Sequence, residues 1–135
     1  MHPQPHQLEI TIPLPPQATR ANKRHVHWSQ KSTAVRKQRQ DAGFAALHAL
    51  QQAGMKAPMW ERAIVRATFY NASPKANIAD EDNLTYWLKA SIDGFADAKI
   101  FANDRGVTWE PPKQYIRGSA GGQTKVVITI TETEA

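Results

Sequence analysis

The sequence contains no cysteine. That absence excludes a disulfide scaffold, a thiolate zinc site, an iron–sulfur cluster and a cysteine nucleophile, so any metal must be held by oxygen or imidazole. No stretch approaches the roughly 18 unbroken apolar residues that span a bilayer, and the opening MHPQPHQ has neither the basic head nor the apolar body of a secretory signal. The expectation is a cytoplasmic chain with no membrane partner. Acidic residues are missing altogether between Ile10 and Gln40. Glycine is sparse as well, at seven residues, and no glycine-rich phosphate loop or internal repeat is present, which leaves no nucleotide cofactor to expect.

What is present is one domain's worth of chain, 135 residues with 41% hydrophobic residues, four Trp, four Phe and three Tyr. Nine Pro and a mean hydropathy of -0.56 predict long exposed connections. The net charge is +5 and the pI near 9.7, which suits a polyanionic partner. The charge is segregated. The acid-free stretch carries Arg20, Lys23, Arg24, Lys31, Arg36, Lys37 and Arg39, seven of the seventeen cations, with His25, His27 and Trp28 interleaved. The acids come later, at Asp80, Glu81 and Asp82, then Asp93 and Asp97, then Asp104. Carboxylates repel phosphate unless a metal cation intervenes, so this separation points to a nuclease more than to a passive DNA binder.

The pattern predicts an α+β domain. Residues 1–7 are expected to be disordered. LEITIPL alternates Leu8, Ile10 and Ile12 with polar partners, as a strand does, and stops at Pro13, Pro15 and Pro16. Residues 17–31 read as a basic loop. A helix follows from an N-cap at Ser32 or Thr33, with Ala34, Phe44, Leu47 and Leu50 at helical spacing and Gly54 as its stop. AIVRATFY at 63–70 is a second strand. A second helix spans Asp82 to about Ala98, burying Leu84, Leu88, Ile92 and Phe95. KQYIR pairs through the SAGG turn with KVVITITET as a C-terminal hairpin. The order is β-α-β-α-β-β, a single small domain with a mixed sheet packed by two helices.

The chemistry concentrates in Asp80-Glu81-Asp82-Asn83-Leu84, with Lys89 downstream and Asp104 beyond the helix. Mg²⁺ takes oxygen ligands and borrows one or two protein carboxylates while water and substrate phosphate complete its octahedron. Such an ion polarises a scissile phosphate and offsets charge on the leaving 3′ oxygen; a nearby lysine neutralises phosphate charge as the transition state forms. A D-x-D ahead of a helix is, taken alone, usually an N-cap rather than a metal site. An EF-hand is excluded, because Leu84 stands at the fifth position, where a ligand is required. Asp93, four residues after Lys89, is expected to pair with it, and Glu81 and Asp97 to be solvated. His25-Val26-His27 lacks a third nearby metal ligand and reads as a phosphate or base contact. Trp28 is either a stacking platform for a base or a buried loop anchor. Arg36, Lys37 and Arg39 are either a solvated helix face or phosphate contacts. Met55, Met59 and Trp60 read as core or dimer surface.

In this ordered set the sequence resembles the RusA family of Holliday junction resolvases, phage and prophage endodeoxyribonucleases. The similarity rests on Asp80-x-Asp82-Asn83-Leu84, on Lys89-Ala90-Ser91-Ile92-Asp93, on Ala98-Lys99-Ile100 leading to Asn103-Asp104, on Pro13-Leu14-Pro15-Pro16, and on the final Ile128-Thr129-Ile130-Thr131-Glu132 strand. It covers the chain from about Leu8 onward and implies a RusA-like endonuclease domain over 8–135. The resemblance implies a homodimer, in the cytoplasm of a bacterium or phage-infected host, that binds four-way junction DNA and nicks two opposed strands in DNA recombination and repair. It implies Mg²⁺, for which Mn²⁺ can substitute, held by Asp80, Asp82 and Asp104, with Lys89 as the essential lysine and Asn83 and Asp93 in support. Lys89 follows Asp82 by seven residues where the enterobacterial motif has four; on a continuous helix that keeps the face, at about -20° against about +40°, and moves the lysine one turn along. Asn103 stands where the family often has a second Asp. A catalytically impaired junction-binding protein, or a nuclease acting on flaps or replication forks, are the alternative readings.

Overall fold

The computed structural model describes residues 6–13, 28–71, 85–86, 88–116 and 125–133; for 28–31, 71, 104 and 114–116 only the backbone is described. The elements are β1 (Gln7–Ile12), α1 (Trp28–Ala53), β2 (Ala63–Asn71), α2 (Lys89–Asp97), a 3₁₀ turn (Asp104–Gly106), β3 (Val107–Trp109), β4 (Lys113–Ile116) and β5 (Lys125–Glu132). The fold is α+β, a mixed sheet with two helices, in the order expected, with the three-residue strand β3 as an addition. No helix among the described residues is long and apolar enough to cross a membrane.

The alternation in β1, β2 and β5 lines one sheet face with the core. β5 lies between β1 and β2 and is antiparallel to both, whereas β3 and β4 pair in parallel with the other side of β2. The register puts buried residues in rows across the sheet: Leu8, Ile130 and Val65, continued by the half-buried Trp109; Ile10, Ile128 and Ala67; Ile12, Val126 and Phe69. Burying each such large aliphatic or aromatic side chain contributes roughly 1.5–3 kcal/mol. The expected hairpin of KQYIR with the last strand is corrected by this pairing. β5 satisfies both of its edges with β1 and β2, and Lys113–Ile116 pairs instead with Thr68–Asn71. Pro111 and Pro112 fall between β3 and β4, where a missing N–H interrupts one sheet edge.

Three helix expectations are revised. α1 already runs from Trp28, so Ser32 and Thr33 lie inside it rather than capping it; residues 28–33 contain neither Pro nor Gly to stop it. Its buried face is Gln38, Ala42, Ala46 and Leu50, while Phe44 is 63% and Leu47 52% exposed. The reason is the close approach of α2. A Cβ built on Gly94 would lie 2.2 Å from the Arg39 carbonyl oxygen, 2.9 Å from the Gly43 nitrogen and 3.0 Å from the Ala42 Cβ. Small residues, not large ones, fill this crossing. Gln38 Nε2 donates to Ser91 Oγ across it at 2.8 Å, with both side chains buried.

The helix that carries Leu88, Ile92 and Phe95 is described as Lys89–Asp97, and its expected start at Asp82 lies outside the described residues. Thr85 and Tyr86 are helical, but the Leu88 N–H bonds the Thr85 carbonyl at 3.1 Å, and Leu88 itself, at φ -94° and ψ -2°, is the N-cap without a side-chain cap bond. The angular comparison of Lys89 with Asp82 on one continuous helix therefore does not hold. Leu88, Ile92 and Phe95 are buried as expected, and Met55 and Trp60 join them in the core, while Met59 is exposed. Both helices end on left-handed C-caps. Gly54, at φ 66°, follows α1 as expected; Lys99, also at φ 66°, follows α2. In each, the next amide reaches back five residues, Met55 N to Leu50 O at 2.9 Å and Ile100 N to Phe95 O at 3.1 Å.

Candidate functional site

The chain leaving α2 is fixed before it reaches Asp104. Met59 N donates to Lys99 O, Trp60 N to Ile100 O and Ala102 N to Trp60 O, each at 2.9 Å, so residues 99–102 run alongside 59–60. The following 3₁₀ turn packs on α2 and delivers the chain to β3 at the sheet edge. Asn103 supports this turn, its Oδ1 accepting from Arg105 N at 2.9 Å.

Between α2 and β3 lies a crevice of about 230 Å³ lined by Tyr86, Lys89, Ile92, Asp93, Val107 and Trp109. Lys89 is exposed, Asp93 half-buried and Trp109 half-buried against the core. Lys89 and Asp93 share this crevice without the ion pair that their spacing predicts; neither has an ion pair among the described residues. Lys89 also occupies the first position of α2. A cation there opposes the helix macrodipole, at a cost of typically 0.3–1 kcal/mol, and no side chain of the N-cap residue Leu88 offsets that field. An anion in the crevice reverses the sign of that term.

Of the remaining expected site residues, Asp80, Asp82, Asn83, Arg20, Lys23, Arg24, His25 and His27, together with Glu81, lie outside the described residues. Trp28 and Lys31 belong to the first turn of α1, helix rather than loop, and Asp104 opens the 3₁₀ turn; for these three the backbone alone is described. Among the described residues no group of three or more His, Asp or Glu could hold a metal ion. Arg36 is exposed on α1. Lys37 Nζ pairs with Asp41 Oδ2 at 2.9 Å within the helix.

Arg39 and Asp97 require a correction. Asp97 is not merely solvated: Arg39 Nε and Nη2 donate to its two carboxylate oxygens, each at 2.7 Å, tying α1 to the end of α2. That two-pronged hydrogen bond is the main cause that holds the Asp97 carboxyl below its ordinary pKa. Arg39 is correspondingly engaged by a carboxylate rather than free for phosphate. It lines, with Arg36, Phe44 and Leu47, a separate groove of about 470 Å³.

Sequence reasoning missed Tyr86 and Trp109, which supply the aromatic surface beside Lys89. Their signal was present in the period of β3: Val107 and Trp109 alternate with Thr108, so the two apolar residues share the face turned to α2.

No family model matches the chain. Over 124 residues, 90% of this chain and 74% of its relative, it is 32% identical to a protein of Xylella fastidiosa (strain Temecula1 / ATCC 700964) described as "Uncharacterized protein".

Proposed function

We propose that the chain, which belongs to the family of that Xylella fastidiosa protein, is a metal-dependent, structure-selective endodeoxyribonuclease of the RusA kind that resolves four-way DNA junctions. The observation that supports this reading is the placement of Lys89 at the first position of α2, beside the half-buried carboxylate of Asp93, in a crevice against whose helix the Asp104 turn packs. A cation held against its own helix dipole suits a phosphate and is unfavourable without one.

In this reading Asp80, Asp82 and Asp104 would hold Mg²⁺, with Mn²⁺ as substitute, and Asn83 would support them. Asp93, whose carboxylate makes no ion pair among the described residues, suits such a hard cation as a neighbour. The ion, when bound, supplies polarisation of the scissile phosphate and a more acidic water. Lys89 neutralises a nonbridging phosphate oxygen as negative charge grows on it. The oxygen of a water forms the new bond to phosphorus while the bond to the 3′ oxygen breaks. One proton of the water passes to solvent and the leaving 3′ oxygen takes one up from solvent, so the products are a 5′-phosphate and a 3′-hydroxyl. Symmetric nicking of opposed strands requires two such sites, hence a homodimer.

The test is incubation of the protein with a synthetic four-way junction and Mg²⁺. Paired nicks in opposed strands, abolished in Asp82→Asn and Asp104→Asn, are the expected result. Absence of nicks with either metal, or undiminished nicking by the variants, overturns the reading. Tight junction binding in EDTA with no cleavage in Mg²⁺ or Mn²⁺ identifies a junction-binding protein instead.

A further inference from the structure

The edge strand β3 divides two crevices. Val107 and Trp109 face the one with Lys89; Thr108, pointing the opposite way, faces another of about 450 Å³, lined also by Glu61, Arg62, Asn103, Arg105 and Thr133. Thr108 aligns with Ile64, on the sheet face turned away from the helices. The second crevice therefore opens on the far side of the sheet edge from Lys89, and the turn that begins at Asp104 runs between the two.

Its walls are held by backbone contacts. A Cβ on Gly106 would lie 1.7 Å from the Glu61 carbonyl oxygen and 3.3 Å from the Arg62 Cα, so the turn rests directly on residues 61–62. Thr133 N donates to Arg62 O at 2.9 Å, and Asn103 Oδ1 anchors Arg105 N. Two arginines from distant parts of the chain are thus brought to one crevice. Their contrast with other cations is instructive. Lys37, Arg39 and Arg66 are each engaged by a carboxylate, Arg66 by Glu110 at 2.8 Å. Arg62 and Arg105 have no ion pair among the described residues, and exposed Glu61, on the same rim, pairs with neither.

We propose that Arg62 and Arg105 form a phosphate-binding crevice for the DNA backbone, across the edge strand from Lys89, so that a bound strand passes over the Asp104 turn with cations on both sides. The proposal rests on the nuclease reading above and extends its DNA contacts to residues outside the basic 20–39 stretch. Guanidinium groups suit this role because their donors match phosphate oxygens in pairs, and each neutralised phosphate releases a condensed counterion.

The experiment is fluorescence anisotropy of a labelled four-way junction in EDTA, between about 50 and 200 mM salt, with wild type, Arg62→Gln, Arg105→Gln and the double variant. Thermal melts of each protein report folding. Each single change is expected to weaken binding about tenfold at the middle of that range and to lower the slope of log affinity against log salt by about 1, the double by about 2. Arg66→Gln, which removes a guanidinium already engaged by Glu110, leaves the slope unchanged. If wild type binds and the double variant keeps its affinity and slope, the crevice assignment falls while the nuclease reading stands; if wild type does not bind the junction, both fall. Calorimetric titration with inorganic phosphate is the second arm. Phosphate binding lost in the double variant, with junction binding intact, would reassign the crevice to a free anion and overturn the proposal.

Discussion

Replacing Gly94 by alanine adds one methyl group at the α1–α2 crossing, and the structure fixes where that methyl must go. Its carbon would lie 2.2 Å from the Arg39 carbonyl oxygen, against the 3.4 Å at which ordinary contact begins. The Gly43 nitrogen, 2.9 Å away, closes the other side. All three obstacles are backbone or the first carbon of Ala42, so no rotamer change can relieve them, and the helices must separate by roughly 1 Å. That separation loosens the buried Gln38–Ser91 bond, worth about 1 kcal/mol, and adds overpacking strain of about 1–3 kcal/mol. Alanine's better helix propensity returns about 1 kcal/mol. The net expectation is a loss of about 2 kcal/mol. Gly43→Ala is the matched control. Its Cβ would meet only the Gly94 carbonyl oxygen, at 3.3 Å, so propensity dominates and stability changes by less than about 1 kcal/mol. Urea denaturation with both variants and wild type, at constant m, measures the two quantities. A Gly94→Ala midpoint equal to or above that of Gly43→Ala would refute the reasoning.

Other sites give separate checks. Lys99→Gly, which places glycine at a φ of 66°, should stabilise by about 0.5–1 kcal/mol, and a lowered melting temperature contradicts the strain assigned to that C-cap. Phe44→Ala, at an exposed position, should cost less than about 1 kcal/mol, whereas Phe95→Ala, fully buried, should cost about 3–5 kcal/mol; similar losses at both would place Phe44 in the core after all. Asp97 has its folded-state pKa lowered by Arg39, so its stabilisation is present above the unfolded value near 3.9 and is lost as pH falls through the lowered folded value. The pair is half exposed, so Asp97→Asn should cost at most about 1 kcal/mol at neutral pH, a difference that shrinks below about pH 4. A stability difference unchanged down to pH 2 would remove the ion pair from the account.

Strand and core positions were legible where a local period decides them. Leu8, Ile10 and Ile12 and the alternation of Val126, Ile128 and Ile130 needed only the two-residue repeat of a strand, and Gly54 marked its helix end. Partner choice was less legible. Lys113–Ile116 is the described strand that precedes β5 in sequence, but β5 bonds β1 and β2 on its two edges, and no local pattern encodes that insertion. Phe44 and Leu47 misled because hydrophobicity ranks side chains singly, whereas the crossing at Gly43 and Gly94 selects for small volume. In the candidate site the four-residue spacing of Lys89 and Asp93 put them on one crevice but did not give the ion pair expected of it, and the dipole argument at Lys89 depends on the break at Leu88. Arg62 and Arg105 belong to no motif; the pairing of Ala63 with Val107 and the contact of Gly106 with Glu61 bring them together.

The position of β5 also governs when the molecule can fold during its synthesis. β1 is made first and its hydrogen-bonded neighbour last among the described strands, with β2 joined to β1 only through that late strand. Until Glu132 has emerged, Leu8, Ile10 and Ile12 face no sheet partner, and two unpaired strand edges wait in the nascent chain. The sheet therefore closes through long-range pairing only once β5 is available, and a chain arrested before Lys125 leaves the edges of β1 and β2 that β5 would pair open to aggregation.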